Sequence, residues 1–555
     1  MDENPRSASA IVSTGPGRRT FLAGMAGATA TVALDALGSS SLASVQAEPF
    51  IAEKSTSIVT AKRAEQAFDV RRKAALYQRN LPASKNLGNG DEQLYSNRIG
   101  NHSKALPHDS MGEVNPDAYN KMLKALSSGD TTDFESIPLG GKVKLSNPQS
   151  ALTFCLEGSD SHHFAIAAPP TFSSAETAAE MVELYWQALA RDVPFAEYES
   201  NPLIIKAAAE LTKLSAFRGP RIRGEVTPAT LFRGNTPGDL KGSYLSQFLL
   251  KNFQYGAIPV LQRIRTAVPE LNYLTSYSDW LAVQNGAKTG PSKFDPTSRY
   301  INSSRDLAAF VREDFTYQAF LNACLILLGM HAEFDMGNPY MESRNQSAFS
   351  TFGPPHVLDA VARVANAGLK AAWYQKWLVH RKLRPEEFGG AVQRLQTGQS
   401  TYPIHHDVLD SRALAETFNQ NGSYLLSQAY PEGCPTHPSY PAGHAVVAGA
   451  CATVLKAFFE ESFVLRDPVK VGANGLSISP YKGPELTVGE ELNKLAANIA
   501  IGRNAAGVHW RSDAIEGLKL GEAVALSIFA DGGGCLSESF NGFALTKFDG
   551  TTVVA

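Results

Sequence analysis

Cysteine is scarce in this sequence: Cys155, Cys324, Cys434, Cys451 and Cys535 are the five among 555 residues. They are scattered, odd in number and form no C-x-x-C pair, which excludes a disulfide-stapled scaffold and a zinc ribbon. Free buried thiols are the expectation, with one disulfide the most the spacing allows, and a cysteine nucleophile is disfavoured. An excess of charge of either sign is also lacking. The 51 Lys and Arg stand against 54 Asp and Glu, a formal charge of -3, so nothing pulls the whole chain toward nucleic acid or an anionic membrane. Nor is the composition that of a disordered, fibrous or membrane-spanning chain. A hydrophobic content of 43% with 45 glycines supports a large core in two layers or lobes. Any local cluster of basic residues therefore needs a local explanation.

The N-terminus reads as an address. Gly17-Arg18-Arg19-Thr20-Phe21-Leu22 is a twin-arginine start, followed by an Ala/Gly-rich apolar run to about Ala43 and a small-residue site, Val45-Gln46-Ala47. This predicts a signal peptide over residues 1–47 and a periplasmic or secreted product.

Hydrophobic periodicity predicts a mainly α fold packed as helical bundles, with a few short strands. Helices are expected over Ser57–Leu81, from a Ser173/Glu176 capping box to Ala190, over Tyr244–Phe253, Asp306–Met330, His356–Leu383, Ala442–Phe459, from a Thr487/Glu490 capping box to Ile501, and over His509–Phe529. Pro138–Ala168, with the run Leu152-Thr153-Phe154-Cys155-Leu156, predicts a small hairpin. The polar stretch to Asn115 predicts a loop or an oligomer arm. Asn285–Ser303 is the best internal boundary, which divides the chain into a helical region over 48–300 and a C-terminal bundle over 301–555.

Three stretches carry chemistry. In the first, Arg503, His509 and Asp513 follow one another at spacings that bring a guanidinium and an imidazole together and place the carboxylate one helical turn after the histidine. A solvated Arg-Asp helix face is the bland explanation of such a trio. In the second, Lys376 shares a helix face with His380, and Arg384 precedes Pro385, which ends the helix and frees the guanidinium. Alone, this is an ordinary basic last turn. The third, His437-Pro438-Ser439-Tyr440-Pro441-Ala442-Gly443-His444, opens an apolar helix, so free backbone N–H groups near Gly443 form an anion cradle with His444 in the first turn as an acid–base group. Together, Lys376, Arg384, Gly443, His444, Arg503 and His509 make a collection that burial would penalise without an anion among them. The set points to a bound oxyanion.

These stretches resemble the signature of vanadium-dependent haloperoxidases and the related type 2 phosphatidic acid phosphatases. The words around His437 and His509 are most similar to the bromoperoxidase branch of red algae and cyanobacteria, and Phe232–Leu240 shares that look without a role to assign. The resemblance implies one vanadate per subunit, with His509 as the ligand to vanadium. Lys376, Arg384, Arg503 and the Ala442-Gly443 turn would hold the vanadate oxygens, with Asp513 orienting His509. His444 would act as acid–base group, tuned by His437, and Lys376 would polarise bound peroxide. It further implies hydrogen peroxide, halide and a small organic acceptor as reactants, bromide and also iodide as halides, and a homo-oligomer built from dimers. A structural divalent cation is compatible with it, although no ligand loop is evident.

The sequence departs from the family pattern in three places. Seven residues rather than six separate Lys376 from Arg384, and Gly502 replaces the serine before Arg503. Ala442 replaces a serine whose hydroxyl would donate to the oxyanion, a bond worth about 1–3 kcal/mol in a buried site. Trp373, one turn before Lys376, is either core or a wall on the halide side. Two other readings stay open at this point: an exported acid phosphatase with His509 as nucleophile, and a non-catalytic oxyanion-binding protein.

Overall fold

The computed structural model describes residues 56–555; the expected signal peptide over 1–47 lies outside them. Residues Val70–Ala555 form one compact unit, and the described residues before Val70 fall outside it. The chain runs through α1 (Thr56–Asn80), α2 (Ala175–Leu189), α3 (Ser304–Glu313), α4 (Gln318–Gly329), α5 (Pro354–Tyr374), α6 (Pro385–Gln396), α7 (Gly443–Phe458), α8 (Val488–Ala505) and α9 (Arg511–Gly533), with further helices between them. Strands are confined, among the described residues, to three two-stranded antiparallel pairs, such as Phe253–Tyr255 with Ile258–Val260. The fold is mainly helical, as the periodicity predicts.

α7 is buried along its length except at His444 and forms the axis of the core. It packs most closely on α9, then on α5 and α8. Glycine makes the α7–α9 contact close: a Cβ on Gly449 would lie 2.2 Å from the carbonyl oxygen of Leu518, and one on Gly521 would lie 2.0 Å from that of Val446. α8 begins with the expected Thr487/Glu490 capping box. α2 begins one residue later than expected, with Ser174 rather than Ser173 accepting a backbone N–H, from Thr177 at 3.2 Å. No helix among the described residues is long and apolar enough to cross a membrane, and all five cysteines are free thiols.

Four expectations are corrected. The 138–168 hairpin is absent among the described residues; 3-10 turns at Pro148–Leu152 and Ser161–His163 take its place. Asp160 caps the second turn and also accepts the Cys155 N–H at 2.8 Å, so the apolar run is held by side-chain bonds and has no partner strand. The 244–253 helix shrinks to a turn over Gln247–Leu249 because α8 takes its backbone groups: Ser246 N–H donates to Asn498 and Gln247 N–H to Glu491. The 306–330 helix breaks at Asp314 into α3 and α4, since Asp314 adopts an extended conformation. Finally, α5 ends at Tyr374 and widens into a π-helical turn over Gln375–His380, which stops at Arg381 with φ 40°. The break and the widening both fall at the site.

Candidate active site

The π-helical turn, a geometry common at functional sites, carries Lys376 into the protein interior. Its Nζ donates to the carbonyl oxygens of Pro438 at 2.8 Å and Ser439 at 2.7 Å. His380, which the helical wheel places beside Lys376, instead lies edge-on to Tyr440, and burial holds its ring down at about 3. Arg384 is the residue before α6, in extended conformation as Pro385 requires. Its fully buried guanidinium donates to Val508 O at 2.7 Å and His437 O at 2.9 Å, and faces His509 Nε2 at 2.9 Å and His437 Nδ1 at 3.0 Å. Two of the sequence stretches thus meet a third at one guanidinium.

His509 reaches this point through a tight turn after α8. Gly507 has φ 86°, and a Cβ there would lie 2.7 Å from the Gln428 amide nitrogen, so glycine serves both conformation and space. His509 Nδ1 lies 2.7 Å from Asp513 Oδ2, which also accepts the Trp510 N–H and the Ser439 hydroxyl. An acceptor at Nδ1 puts the ring proton there and leaves the Nε2 lone pair facing the basic groups. Burial first, then the charges of Arg384 and Lys376, pushes His509 and His437 well below the usual imidazole range. Burial and the nearby Arg384 likewise push Lys376 well below the usual ammonium range.

Arg503 and His444 converge from the other side, on the end of α3. Arg503 donates to Val311 O at 2.9 Å, its guanidinium lies 5.5 Å from the Tyr430 ring centroid, and its buried Nε has no protein partner. His444 Nε2 lies 3.0 Å from Asp314 Oδ1. Ala442 occupies the N-cap of α7, and no side chain caps that start. A Cβ on Gly443 would lie 3.4 Å from the Trp373 ring. Trp373 packs against His437 with centroids 4.8 Å apart and donates to Ser146 O, which makes it a wall behind the second histidine.

Several supporting residues escape the sequence reading. The polar stretch expected as a loop or arm packs into the interior: Glu387 accepts the Arg384 N–H at 2.6 Å, His102 Nδ1 at 3.1 Å, and the N–H groups of Ser103 and Lys104. Lys104 pairs with Glu386 at 2.7 Å. On α2, buried Glu183 pairs with Arg511, and Glu180 accepts the Ser512 N–H at 2.9 Å, fixing the start of α9 where Asp513 sits. Arg233, from the unassigned Phe232–Leu240 stretch, accepts Arg511 through its carbonyl at 3.0 Å. The Pro385/Glu387 pattern was the available signal for Glu387, hidden because an arginine occupies the cap position.

Lys376, Arg384 and Arg503 are buried together, with the carboxylates of Asp513 and Glu387 nearby. Three cationic donor groups, an imidazole nitrogen with an outward lone pair and the unpartnered Arg503 Nε fit an oxyanion with four or five oxygens.

Comparison with known proteins agrees with that chemistry. The family of the VCPO second helical-bundle domain matches residues 360–532. A vanadium-dependent bromoperoxidase of Corallina officinalis is 37% identical over 588 aligned positions, which cover 88% of this chain and 98% of that one. One from Ascophyllum nodosum is 35% identical over 468 positions, covering 79% and 83%. The homohexameric structure of the second vanadate-dependent bromoperoxidase from Ascophyllum nodosum superposes with a TM-score of 0.85 at 32% identity, over 95% of each chain. This chain belongs to the vanadium-dependent bromoperoxidase family.

Proposed function

We propose that this protein is a vanadate-dependent bromoperoxidase, using hydrogen peroxide to oxidise bromide, and also iodide, to a hypohalous-acid equivalent that halogenates small organic acceptors. The observation that carries the reading is the Asp513–His509–Arg384 line, at 2.7 and 2.9 Å, which presents an imidazole lone pair inside a basic shell. His509 Nε2 would hold vanadium; Lys376, Arg384, Arg503 and the Gly443 N–H would hold vanadate oxygens, with Ala442 contributing backbone alone. Bound vanadate supplies Lewis acidity that activates peroxide without a change of oxidation state. The chain's residues supply the rest. The three cations stabilise negative charge and draw halide inward. His444, held by Asp314, takes the first proton from peroxide and returns one to the departing oxygen. Lys376 polarises the reacting oxygen, and His437 sits against Arg384, where it tunes the field felt by His444.

The same reading takes residues 1–47 as a twin-arginine export signal for a periplasmic or secreted enzyme, 48–300 as the supporting region and 301–555 as the vanadate-binding one. The subunits assemble as a homo-oligomer built from dimers. For a structural divalent cation, the candidate place is His405, His406 and Asp407, whose ligand atoms lie within 4.8 Å of one another. His509→Ala tests the central assignment: bromination and tight vanadate binding should both vanish while the fold is kept. Undiminished vanadate binding by the variant would remove His509 from the ligand role.

A further inference from the structure

A cavity of about 820 Å³ lies at the other end of the core from the basic pocket. Along α7, His444 and Phe458 are separated by about 20 Å at 1.5 Å per residue, and Phe458 lines this cavity. It is a separate space, within the range of about 300–1,000 Å³ typical of small-molecule sites. Its floor is a set of interlocked phenylalanines: Phe540 and Phe352 have centroids 4.9 Å apart, as do Phe540 and Phe543, and Phe458 and Phe543 are 5.1 Å apart. Val70 and Ala74 of α1 and Ala360 of α5 also line it. Rings braced against one another cannot collapse inward, so the space is preformed, and an apolar cavity of this kind is filled more readily by an apolar molecule than by water.

One polar group in the apolar wall is oriented. His356 Nδ1 accepts the Phe352 N–H at 2.9 Å, and its ring stands perpendicular to Phe458 with centroids 5.1 Å apart. The neutral ring therefore carries its proton on Nε2. Polar groups of the lining already have partners: Arg363 pairs with Asp359 at 2.7 Å and Glu157 at 3.2 Å, Gln78 donates to Asp531 at 3.1 Å, and Arg71 is engaged as well. A charged ligand would have to break these pairs, whereas a neutral one leaves them intact.

We propose that this cavity binds a neutral, largely apolar small molecule carrying one acceptor oxygen, such as a carbonyl, which the His356 Nε2–H recognises. The proposal is independent of the vanadate site. It is tested on the full-length protein by uptake of N-phenyl-1-naphthylamine, followed by its fluorescence, and by its displacement with 2-undecanone and undecane. One hydrogen bond predicts that the ketone displaces the dye about fivefold more tightly than the hydrocarbon. His356→Phe should abolish that difference while dye uptake persists. Ala360→Trp and, from α1, Ala74→Trp should each abolish uptake. All three variants should keep vanadate-dependent bromination, which also reports that they fold. Failure of the wild-type protein to take up the dye, uptake indifferent to both tryptophans, or equal affinity for ketone and hydrocarbon would overturn the proposal. So would a change of oligomeric state in the tryptophan variants together with exclusion of dye from the assembled wild type, since a second copy would then cover this face.

Discussion

His444 Nε2 lies 3.0 Å from Oδ1 of Asp314, a carboxylate 130 positions earlier in the chain that is itself buried at the end of α3. The break between α3 and α4 thus has a use: an extended Asp314 can turn back toward the first residues of α7, where one further helical residue would not. Asp314→Asn keeps the shape and removes the charge that orients His444. We expect turnover to fall by about 10- to 100-fold with vanadate affinity little changed, as measured by steady-state bromination alongside vanadate titration. A loss of vanadate binding in proportion to turnover would place Asp314 in the anion shell instead.

Asp513 Oδ2 gathers three contacts, from His509, Trp510 and Ser439, of which the His509 contact sets the ring tautomer. Asp513→Asn can still occupy the space but accepts less well from His509. Vanadate affinity should weaken by about 10- to 100-fold, and reconstitution of apo-protein with increasing orthovanadate measures this directly. An unchanged dissociation constant would show that the tautomer is held by other means.

Ala442 leaves the start of α7 without a side-chain cap. Ala442→Ser supplies both a cap acceptor and a hydroxyl donor at the edge of the anion cradle. The cap should stabilise the protein by about 0.5–2 kcal/mol, seen as a rise in melting temperature without vanadate, and vanadate should bind about tenfold more tightly through the added bond. A lower melting temperature would mean that the buried Ala442 position has no room for the hydroxyl.

Glu387 links the pH dependence of stability to the support behind Arg384. Burial alone would raise its carboxyl, but the charge and hydrogen bond of His102 and the N–H groups of Ser103 and Arg384 outweigh that and hold it down at about 2. Because the folded value lies below the ordinary 4.5, its contribution is fully present above pH 4.5 and is lost as pH falls from there toward 2. That contribution is about 3 kcal/mol. Denaturant unfolding of the wild type should show this slope, and Glu387→Gln should be less stable at pH 7 with the slope between pH 4.5 and 2 reduced. An identical pH profile in the variant would remove Glu387 as its source.

The parts of the site that lie close together in sequence were the legible ones. Lys376 and Arg384, His437 through His444, and Arg503 through Asp513 are each short stretches in which helical spacing, proline and glycine restrict where a side chain can go. The Thr487/Glu490 box was readable for the same reason. What the sequence hid depends on distant partners. Asp314 looks like the middle of an apolar helix until the first turn of α7 is beside it. His102 to Lys104 read as polar loop because their partners Glu386 and Glu387 lie some 280 positions away. The Tyr244–Phe253 segment has helical spacing, yet Asn498 and Glu491 of α8 claim its backbone N–H groups. Periodicity reports which face is apolar; it does not report a competing acceptor supplied by another helix.

We propose above that the basic pocket around His509 holds vanadate for peroxide-driven bromide oxidation. The most direct test is bromination of monochlorodimedone by the vanadate-free protein with hydrogen peroxide and bromide, before and after orthovanadate is added, with phosphate as competitor. Activity should rise to saturation with vanadate and be suppressed by phosphate at the same pocket. No activity with either bromide or iodide, together with hydrolysis of a phosphate monoester, would contradict the proposal.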